Sequence, residues 1–316
     1  MTLKDSSDAV EEYLGKRDYL PSVAGFSQEH TSVSLYSATT VVRPPEAVVR
    51  GRWDTRVDGF VGEELLLNHR RSGRDLGMQM GVARFYGHDA VLSSVHADLR
   101  ESIEGSLALP AHKRIRTSLS TVVAERRSTR NLSDKPVTVD ELATILWHAQ
   151  GISGQLPVTA ANGDAAAIPL RNSPSGGGLY PIRLLILVQN VSGLASGAYE
   201  YQPHSHSLLP VGEPGQPTDL NELCYTVDID LNRMGFALVY VYDLYVNSRK
   251  YGDSGLFFAL IEVGGISQNV HLARTGLGLV GCDQGGYSKQ HIECSFGLDG
   301  TSQHVVHFTV IGHGEA

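Results

Sequence analysis

Five consecutive residues near the middle of the chain combine three guanidinium groups with two hydroxyl groups: Arg126, Arg127, Ser128, Thr129 and Arg130. We call them the arginine segment. Arginine supplies fork-shaped, charge-assisted donors that match phosphate oxygens, and serine adds a short neutral donor. The segment therefore suits a dianionic phosphate with an attached polyol chain. Taken alone it also fits a solvated basic loop, because runs of charged residues usually lie on the surface.

A glycine-rich segment further along the chain favours the phosphate interpretation. It begins with Pro174, Ser175, Gly176 and Gly177, and Pro181 closes it just before a run of apolar residues. We call residues 174–181 the glycine loop. Glycine lets the backbone approach a flat ring closely, and its amides can donate to the polar edge of that ring. The edge of a flavin requires such donors, and the flanking prolines make a merely flexible loop a poorer explanation.

A second glycine pair, Gly285 and Gly286, is expected at the end of a long helix, where it could close over a phosphate. The pair is a weak motif by itself, because Gly-Gly is also ordinary turn chemistry. No GxGxxG segment follows a predicted strand, so the sequence does not indicate a dinucleotide site of the Rossmann type.

Composition and charge exclude some classes of protein. The chain has 316 residues, 41% hydrophobic and 19% charged, which is typical of a globular protein with a large core. A formal charge of -8 argues against nucleic acid as a partner, because binding a phosphate backbone needs clustered Lys and Arg. The N-terminus has no signal-like apolar region, and no apolar run approaches ~20 residues. We therefore expect a cytoplasmic protein without a membrane partner.

The cysteines and histidines predict no metal site. Cys224, Cys282 and Cys294 lack the close spacing of a zinc or redox pair, and their scatter fits a reducing compartment. His204 and His206 lie in a predicted turn with no third ligand at a suitable spacing.

The chemical segments must be positioned by helices that the sequence pattern also predicts. Apolar residues recur at helical spacing from about residue 116, so a helix leads into the arginine segment. Thr138 and Glu141 form a capping box, and the helix that follows them should stop at Gly151. One long buried helix is predicted over 257–279 from the spacing of Leu260, Ile261, Gly264, Gln268, Leu272 and Thr275.

Apolar runs predict strands at 184–188, 237–242 and 305–311, and a hairpin over 198–211. Strands separated by helices, without a regular βαβ repeat, favour an α+β fold with a sheet covered by helices. Residues 1–115 show only weak periodicity and are interpreted as an accessory region, while 116–316 form the functional domain.

The order and spacing of these segments resemble the nitroreductase superfamily over about residues 115–312. Its members begin their core with an Arg-x-Ser-x-Arg/Lys signature and carry a Pro-Ser-x-Gly loop before the central strand. Within the superfamily the chain looks most like the SagB-type azoline dehydrogenases, because Lys250 and Tyr251 match a pair that simple nitroreductases generally lack. The other residues that match the SagB-type motifs are Arg171, Pro174, Ser175, Gly177, Tyr180, Pro181, Glu262, Gly264, Gln268 and Asn269.

The resemblance implies a nitroreductase-like fold with a central antiparallel-rich sheet and an N-terminal accessory region. It implies a homodimeric FMN enzyme, with the flavin at the subunit interface, that oxidises thiazoline or oxazoline rings of a peptide to thiazoles or oxazoles. The peptide would be leader-bound or carrier-bound, so a cyclodehydratase or a peptide synthetase is a further expected partner. The residues expected to bind FMN are Arg126, Arg127, Ser128, Arg130, Pro174, Ser175, Gly176, Gly177, Gln268, Gly285 and Gly286.

Lys250 and Tyr251 are the candidate catalytic pair. Aromatising an azoline removes a proton from carbon and a hydride equivalent, so a base must face the ring opposite the electron acceptor. Partial burial could lower the pKa of one of these side chains toward a useful value. The competing explanation is a surface lysine whose stem packs beside a core tyrosine.

Two other functions are compatible with the sequence. The first is a nitroreductase-type flavin reductase that uses NAD(P)H, and rapid bleaching of the flavin by NAD(P)H would support it. The second is a non-catalytic scaffold of a heterocyclase complex, and a colourless protein that ignores added FMN would support that.

Overall fold

The computed structural model describes residues 101–159, 165–211, 220–224 and 228–315, together with the isolated helical positions Leu65, Leu66, Met80 and Val82. The chain divides into two compact units, Met1–Arg74 and Asp75–Ala316. The central sheet and the helices that pack on it belong to the second unit. The accessory region predicted over 1–115 lies mostly outside the described residues.

The predicted apolar runs form strands. Their bounds are β1 Leu107–Ala108, β2 Val137–Thr138, β3 Ile152–Thr159, β4 Ala165–Arg171, β5 Ile182–Val188, β6 Val191–Ser192, β7 Gly197–Gln202, β8 Ser207–Pro210, β9 Phe236–Asp243, β10 Val280–Gln284 and β11 Gln303–Gly312. Seven of them form one sheet in the order β1-β8-β7-β5-β9-β11-β10, and every neighbouring pair is antiparallel. Two small sheets pair β2 with β6 in parallel and β3 with β4 in antiparallel orientation.

The centre of the large sheet is buried on both faces. Leu184 and Ile186 of β5 belong to one apolar cluster, whereas Leu185 and Leu187 belong to the other. Successive side chains of a strand point to opposite faces, so covering both faces makes the strand read as one continuous apolar run. The predicted strands at 184–188, 237–242 and 305–311 and the hairpin over 198–211 are confirmed.

Helices cover the sheet in the part of the chain that the structure describes. Their bounds are α1 Leu119–Glu125, α2 Val139–Gln150, α3 Leu244–Tyr251, α4 Ser254–Gly276 and α5 Lys289–Ser295. The capping box before α2 is confirmed: the Glu141 amide donates to Thr138 Oγ1 at 3.2 Å, and the Thr138 amide donates to Glu141 Oε2 at 2.8 Å. Such a cap stabilises a helix by about 1 kcal/mol. The sheet and its helices confirm the predicted α+β fold with an antiparallel-rich sheet.

The long helix α4 exists as predicted, but the face assigned to the core was wrong. By length and composition α4 could span a membrane, yet Glu262, His271 and Arg274 on its buried side lie against protein. Of the predicted stripe, Leu260 and Ile261 are 47% and 70% exposed. Gly264 and Gln268 are exposed as well, and Leu272 and Thr275 are only half-buried. Periodicity identified the helix, but an apolar stripe alone does not reveal what covers it.

Two local features differ from the sequence prediction. The segment rich in Gly, Ala, Ser and Pro before the glycine loop, for which the sequence analysis predicted no element, forms the β3–β4 hairpin. Gly285 and Gly286 follow strand β10, not the end of the long helix, because the chain turns after α4 and adds β10 to the sheet edge.

Candidate active site

The arginine segment leaves helix α1 as extended chain that is fixed at two backbone positions. Arg126 ends α1 with φ -54° and ψ 120°. The Arg127 carbonyl accepts a hydrogen bond from Arg274 Nη2 at 2.8 Å, and the Thr129 amide donates to the Gly281 carbonyl at 3.1 Å. Two anchors on either side of Ser128 hold the segment against α4 and β10.

The side chains of the arginine segment are not equivalent. Arg127 is exposed and turns one guanidinium nitrogen back to the carbonyls of Ala124 and Arg126, at 2.9 and 2.8 Å, where it caps the end of α1. Arg126 is half-buried, and Ser128 and Arg130 are exposed. With Arg127 committed to the end of α1, these three are the residues of the segment that stay candidates for a phosphate.

A buried polar network stands behind the arginine segment, and the sequence did not predict it. Arg274 on α4 is 2% exposed, and its Nε donates to His271 Nδ1 at 2.8 Å. Arginine is only a donor, so His271 must accept at Nδ1 and carry its proton at Nε2 when neutral. That Nε2 lies 3.0 Å from Asp283 Oδ1. Burial, followed by the nearby charge of Arg126, lowers the pKa of Arg274 to about 10.

Asp283 on β10 is the centre of this network. Its Oδ1 lies 3.1 Å from His307 Nε2 and accepts from Thr309 Oγ1 at 2.6 Å, while Ser267 Oγ donates to both carboxylate oxygens at 3.1 and 3.2 Å. Burial alone would raise the pKa of the Asp283 carboxyl, but the hydrogen bonds from His271, His307 and Thr309 hold it well below its usual range. The carboxylate therefore ties α4 to β10 and β11 and keeps Arg274 in place.

The glycine loop has a backbone that requires glycine. Gly177 and Gly178 have φ values of 67° and 64°, and a Cβ at Gly176 would lie only 3.0 Å from the Cβ of Phe258. Tyr180 also has a positive φ of 51°, which is uncommon for a bulky residue. Its amide donates to Ser175 Oγ at 2.9 Å, so the loop closes on itself. A bulky residue held at positive φ, as Tyr180 is, belongs to the kind of strained backbone that clusters at active sites and ligand clamps.

Lys250 and Tyr251 lie in the last turn of α3, beside the glycine loop. The Lys250 side chain is buried, with its Nζ 5.0 Å from the centre of the Tyr251 ring. The Tyr251 ring meets the Phe258 ring edge-on at 4.9 Å, and Phe258 in turn packs against Gly176. Burial lowers the pKa of Lys250 to about 8. The structure thus brings the predicted catalytic pair to the loop predicted to hold a flavin edge.

The remaining predicted cofactor residues lie elsewhere around α4. Gly285 follows β10 at the same sheet edge as the arginine segment and has open space where a Cβ would be. Gly286 is next to it, and Tyr287 then pairs with Cys224 in an isolated bridge. Gln268 lies on the exposed side of α4. Within the described residues no cluster of His, Cys, Asp or Glu could hold a metal ion.

A group of buried polar atoms without partners lies around the glycine loop. In the described part of the chain these atoms are Arg171 Nε, Ser173 Oγ and both carboxylate oxygens of Glu262. Glu262 on α4 is 1% exposed, and burial raises its pKa to about 7. The Ser175 hydroxyl, the Arg171 charge and the Ile182 amide lie close enough to oppose that rise, although neither carboxylate oxygen completes a well-formed hydrogen bond.

A cavity of about 380 Å³ is lined in part by residues 178–181 of the glycine loop. Arg171 lines it, with its guanidinium carbon 4.7 Å from the centre of the Tyr180 ring. Arg183, which stands where the SagB-type proteins often have an acidic residue, also lines it and makes two 2.7 Å hydrogen bonds to Glu200. Leu179 separates this cavity from Tyr251. The volume is that of a small-ligand site.

Comparisons with known proteins identify the family. Residues 123–313, more than half of the chain, match the nitroreductase family. A protein of Methanocaldococcus jannaschii that is named as a nitroreductase is 30% identical over 161 residues, which are 51% of this chain and 75% of that protein. The microcin B17-processing protein McbC of Escherichia coli is 32% identical over 133 residues, 41% of this chain and 49% of that protein.

Solved structures agree at the level of the fold. A protein of Ralstonia eutropha described as a nitroreductase has a TM-score of 0.54 and 19% identity, covering 69% of this chain and 93% of that chain. A similar protein of Anabaena variabilis has a TM-score of 0.52 and 23% identity, covering 71% of this chain and 47% of that chain. The chain therefore belongs to the nitroreductase family of oxidoreductases, and the match to McbC supports the SagB-type branch that the sequence motifs indicate.

Proposed function

We propose that the protein is an FMN-dependent dehydrogenase that oxidises thiazoline or oxazoline rings of a peptide to thiazoles or oxazoles. One observation carries the proposal: Lys250 and Tyr251 pack through Phe258 against Gly176 of the glycine loop. A group able to take a proton thus lies beside a loop able to hold the edge of a flavin. The match to a microcin B17-processing protein supports a peptide as the substrate.

The residues present fit FMN. Arg126, Ser128 and Arg130 offer charged and neutral donors for a phosphate, and Gly285 is at the same edge of the sheet. The glycine loop, with Gly177 and Gly178 at positive φ, would let its backbone amides approach the edge of the ring. Helix α4 links the glycine loop to the arginine segment, because Pro174 lies beside Gly265 and the Arg127 carbonyl accepts a hydrogen bond from Arg274. The step of nine residues from Gly265 to Arg274 corresponds to a rise of about 14 Å along the helix, which is comparable to the length of an extended flavin mononucleotide.

The chemistry divides between the cofactor and the chain. Bound FMN would accept two electrons with the hydride from the azoline carbon. The chain must take the second hydrogen as a proton, and Lys250 suits this role because burial lowers its pKa to about 8. Tyr251, stacked beside the Lys250 ammonium, orients that side chain and narrows the space around it. Leu179 and Phe258 exclude water from the same side.

The test uses Lys250→Ala and Tyr251→Phe in the full chain, with Lys113→Ala as the matched control because Lys113 is largely exposed. We expect the two site variants to retain the yellow flavin and its spectrum but to form the azole from a thiazoline peptide more slowly. The loss should be about 100-fold or more for Lys250→Ala, as for removal of a general base. The control should oxidise the peptide at the wild-type rate. Wild-type rates in both site variants would remove the pair from the mechanism.

The second candidate function is a flavin reductase that uses NAD(P)H. The identity to the M. jannaschii protein favours it, because that relative is named as a nitroreductase. Anaerobic mixing distinguishes the two: bleaching of the flavin by NAD(P)H supports the reductase, and bleaching by a thiazoline peptide followed by reoxidation with oxygen supports the dehydrogenase. A colourless protein that ignores added FMN would instead support a scaffold in a heterocyclase complex.

We also propose a homodimer with the flavin near the subunit interface. The exposed stripe of α4 begins at Ile261, Gly264 and Gln268 and continues into half-buried Leu272 and Thr275. Its steps of three and four residues are those of a helix seam, which a second identical helix can match across a two-fold axis. Gly264 has no neighbouring atom within 4 Å of where its Cβ would be, so another backbone can approach closely. The peptide itself would arrive leader-bound or carrier-bound, from a cyclodehydratase or a peptide synthetase.

A further inference from the structure

We propose that Glu262 is a positioning residue for the glycine loop, and that its ionised carboxylate fixes the loop, through Ser175 and Arg171, for the flavin edge. The inference rests on the proposed FMN function and adds a residue for which sequence reasoning gave no role. The starting observation is that the unpartnered buried polar atoms of the described residues all lie here, on Arg171, Ser173 and Glu262. Natural proteins keep few such atoms, and each one requires an explanation.

The surroundings of Glu262 favour the carboxylate over the neutral acid. Ser175 Oγ already accepts from the Tyr180 amide at 2.9 Å, so its own hydrogen is available to donate. Arg171 and the Ile182 amide are donors only. These three donors face the carboxylate without completing a well-formed hydrogen bond to it, and a protonated carboxyl would bring one more donor into a site that already has several. Glu262 therefore holds the loop best when it is charged, and burial opposes that charge.

The loop is the element that would respond. Ser175 Oγ accepts a hydrogen bond from the Tyr180 amide, and the Gly178 amide donates to the Ser175 carbonyl at 3.0 Å. If the Ser175 side chain rotates away from Glu262, its hydrogen bond with the Tyr180 amide breaks and residues 175–180 open. Both glycine amides that could reach the ring lie inside that closure. Glu262 therefore acts on the flavin edge through Ser175.

The groups that face Glu262 from each neighbouring element must be separated in any pH experiment. Lys250 on α3 must be separated as well, because its pKa is displaced to about 8 and lies in the same pH range. Because wild type and a Glu262 variant both retain Lys250, subtracting their pH profiles removes the contribution of Lys250. The charged group that acts on Glu262 is Arg171 at the end of β4. Tyr180 in the glycine loop, Glu101 and Tyr201 lie around Arg171. On α3, Tyr251 contacts Phe258, one turn before Glu262, and Lys250 lies beside Tyr251.

The experiment compares the wild-type protein with Glu262→Gln, and uses Glu104→Gln as the matched control because Glu104 is exposed. The first measurement is amide hydrogen exchange of residues 175–182 in flavin-free protein at pH 6 and pH 8, corrected for intrinsic exchange. The second is the dissociation constant of FMN, measured by fluorescence quenching, at the same two pH values. Ser175→Ala provides a second variant in case Glu262→Gln does not fold.

We expect wild type and Glu104→Gln to protect the loop less at pH 6 and to bind FMN roughly tenfold more weakly there, the effect of losing one charged hydrogen bond. Glu262→Gln and Ser175→Ala should show low protection and weak binding at both pH values. Identical pH profiles for wild type and Glu262→Gln would overturn the inference. If the protection of residues 175–182 depends on pH in wild type but not in Glu262→Gln, and the protein binds no FMN, the role of Glu262 in the loop is supported and the proposed function is overturned.

Discussion

Two titratable side chains beside the glycine loop have had their pKa values moved toward neutrality from opposite directions. Burial lowers the pKa of Lys250 to about 8 and raises the pKa of Glu262 to about 7. Phe258 and Tyr251 lie between the glycine loop and Lys250, and Glu262 lies one helical turn after Phe258 on α4. Pairs of groups separated in this way are how proteins assign acid, base and positioning roles near pH 7.

The displaced pKa of Lys250 predicts the pH dependence of azoline oxidation. A general base must be neutral to accept a proton, so the rate should rise with pH below about 8 and level off above it. Between pH 6 and pH 8 the neutral fraction grows roughly 50-fold. Single-turnover reduction of the flavin by a thiazoline peptide, followed across that range, measures the rise. Tyr251→Phe should be slower but keep the rising limb, and a flat wild-type profile would exclude Lys250 as the base.

At the scale of elements, α4 positions both halves of the candidate site. Its first half carries Phe258 and Glu262 under the glycine loop, and its second half carries His271 and Arg274 under the arginine segment. The polar network around Asp283 locks that second half to β10 and β11. Helix α4 is therefore rigid where a phosphate would bind, and the distance between the two ends of the site is fixed by the helix itself.

The anchoring role of Arg274 predicts a specific defect in cofactor binding. Arg274→Gln removes the donor to the Arg127 carbonyl and leaves His271 Nδ1 without its partner, so the arginine segment keeps only its contact with Gly281. We expect FMN to bind roughly tenfold more weakly and the free energy of unfolding to fall by on the order of 3 kcal/mol. Fluorescence titration and denaturant unfolding measure the two effects.

Arg114→Gln is the control for Arg274→Gln, since Arg114 is exposed and outside the network. It should change neither quantity. If Arg274→Gln loses stability but binds FMN with wild-type affinity, the network supports the fold alone and does not position the arginine segment.

How much was predictable from sequence depends on whether the signal is local. The capping box of Thr138 and Glu141 and the apolar run of β5 each lie within a few adjacent residues, and both predictions are confirmed. The Asp283 network could not be predicted, because its members come from α4, β10 and β11 and meet only in the folded chain. The β3–β4 hairpin was missed because small residues and proline carry little strand signal.

The exposed stripe of α4 shows a different limit. The spacing of Leu260, Ile261 and Gly264 predicted a helix correctly, but the same residues were assigned to the core and lie at the surface. A seam between two subunits and a core-facing stripe have the same apolar period. Only the fold, which turns Glu262 and His271 toward the sheet, distinguishes them.

At the scale of the whole molecule, the proposed dimer predicts what disrupting that stripe will do. Ile261 is 70% exposed, and an aspartate there would place a charge in the centre of an apolar seam between two copies of α4. The wild-type protein should therefore run at twice its 34.2 kDa chain mass in light scattering, and Ile261→Asp should run as a monomer that has lost most of its FMN. Ile103→Asp is the matched control, because Ile103 is 83% exposed but lies far from α4 in the sequence. It should remain a flavin-bound dimer. A wild-type monomer that retains FMN would contradict both the dimer and the placement of the flavin at its interface, and would require one chain to supply every contact along α4.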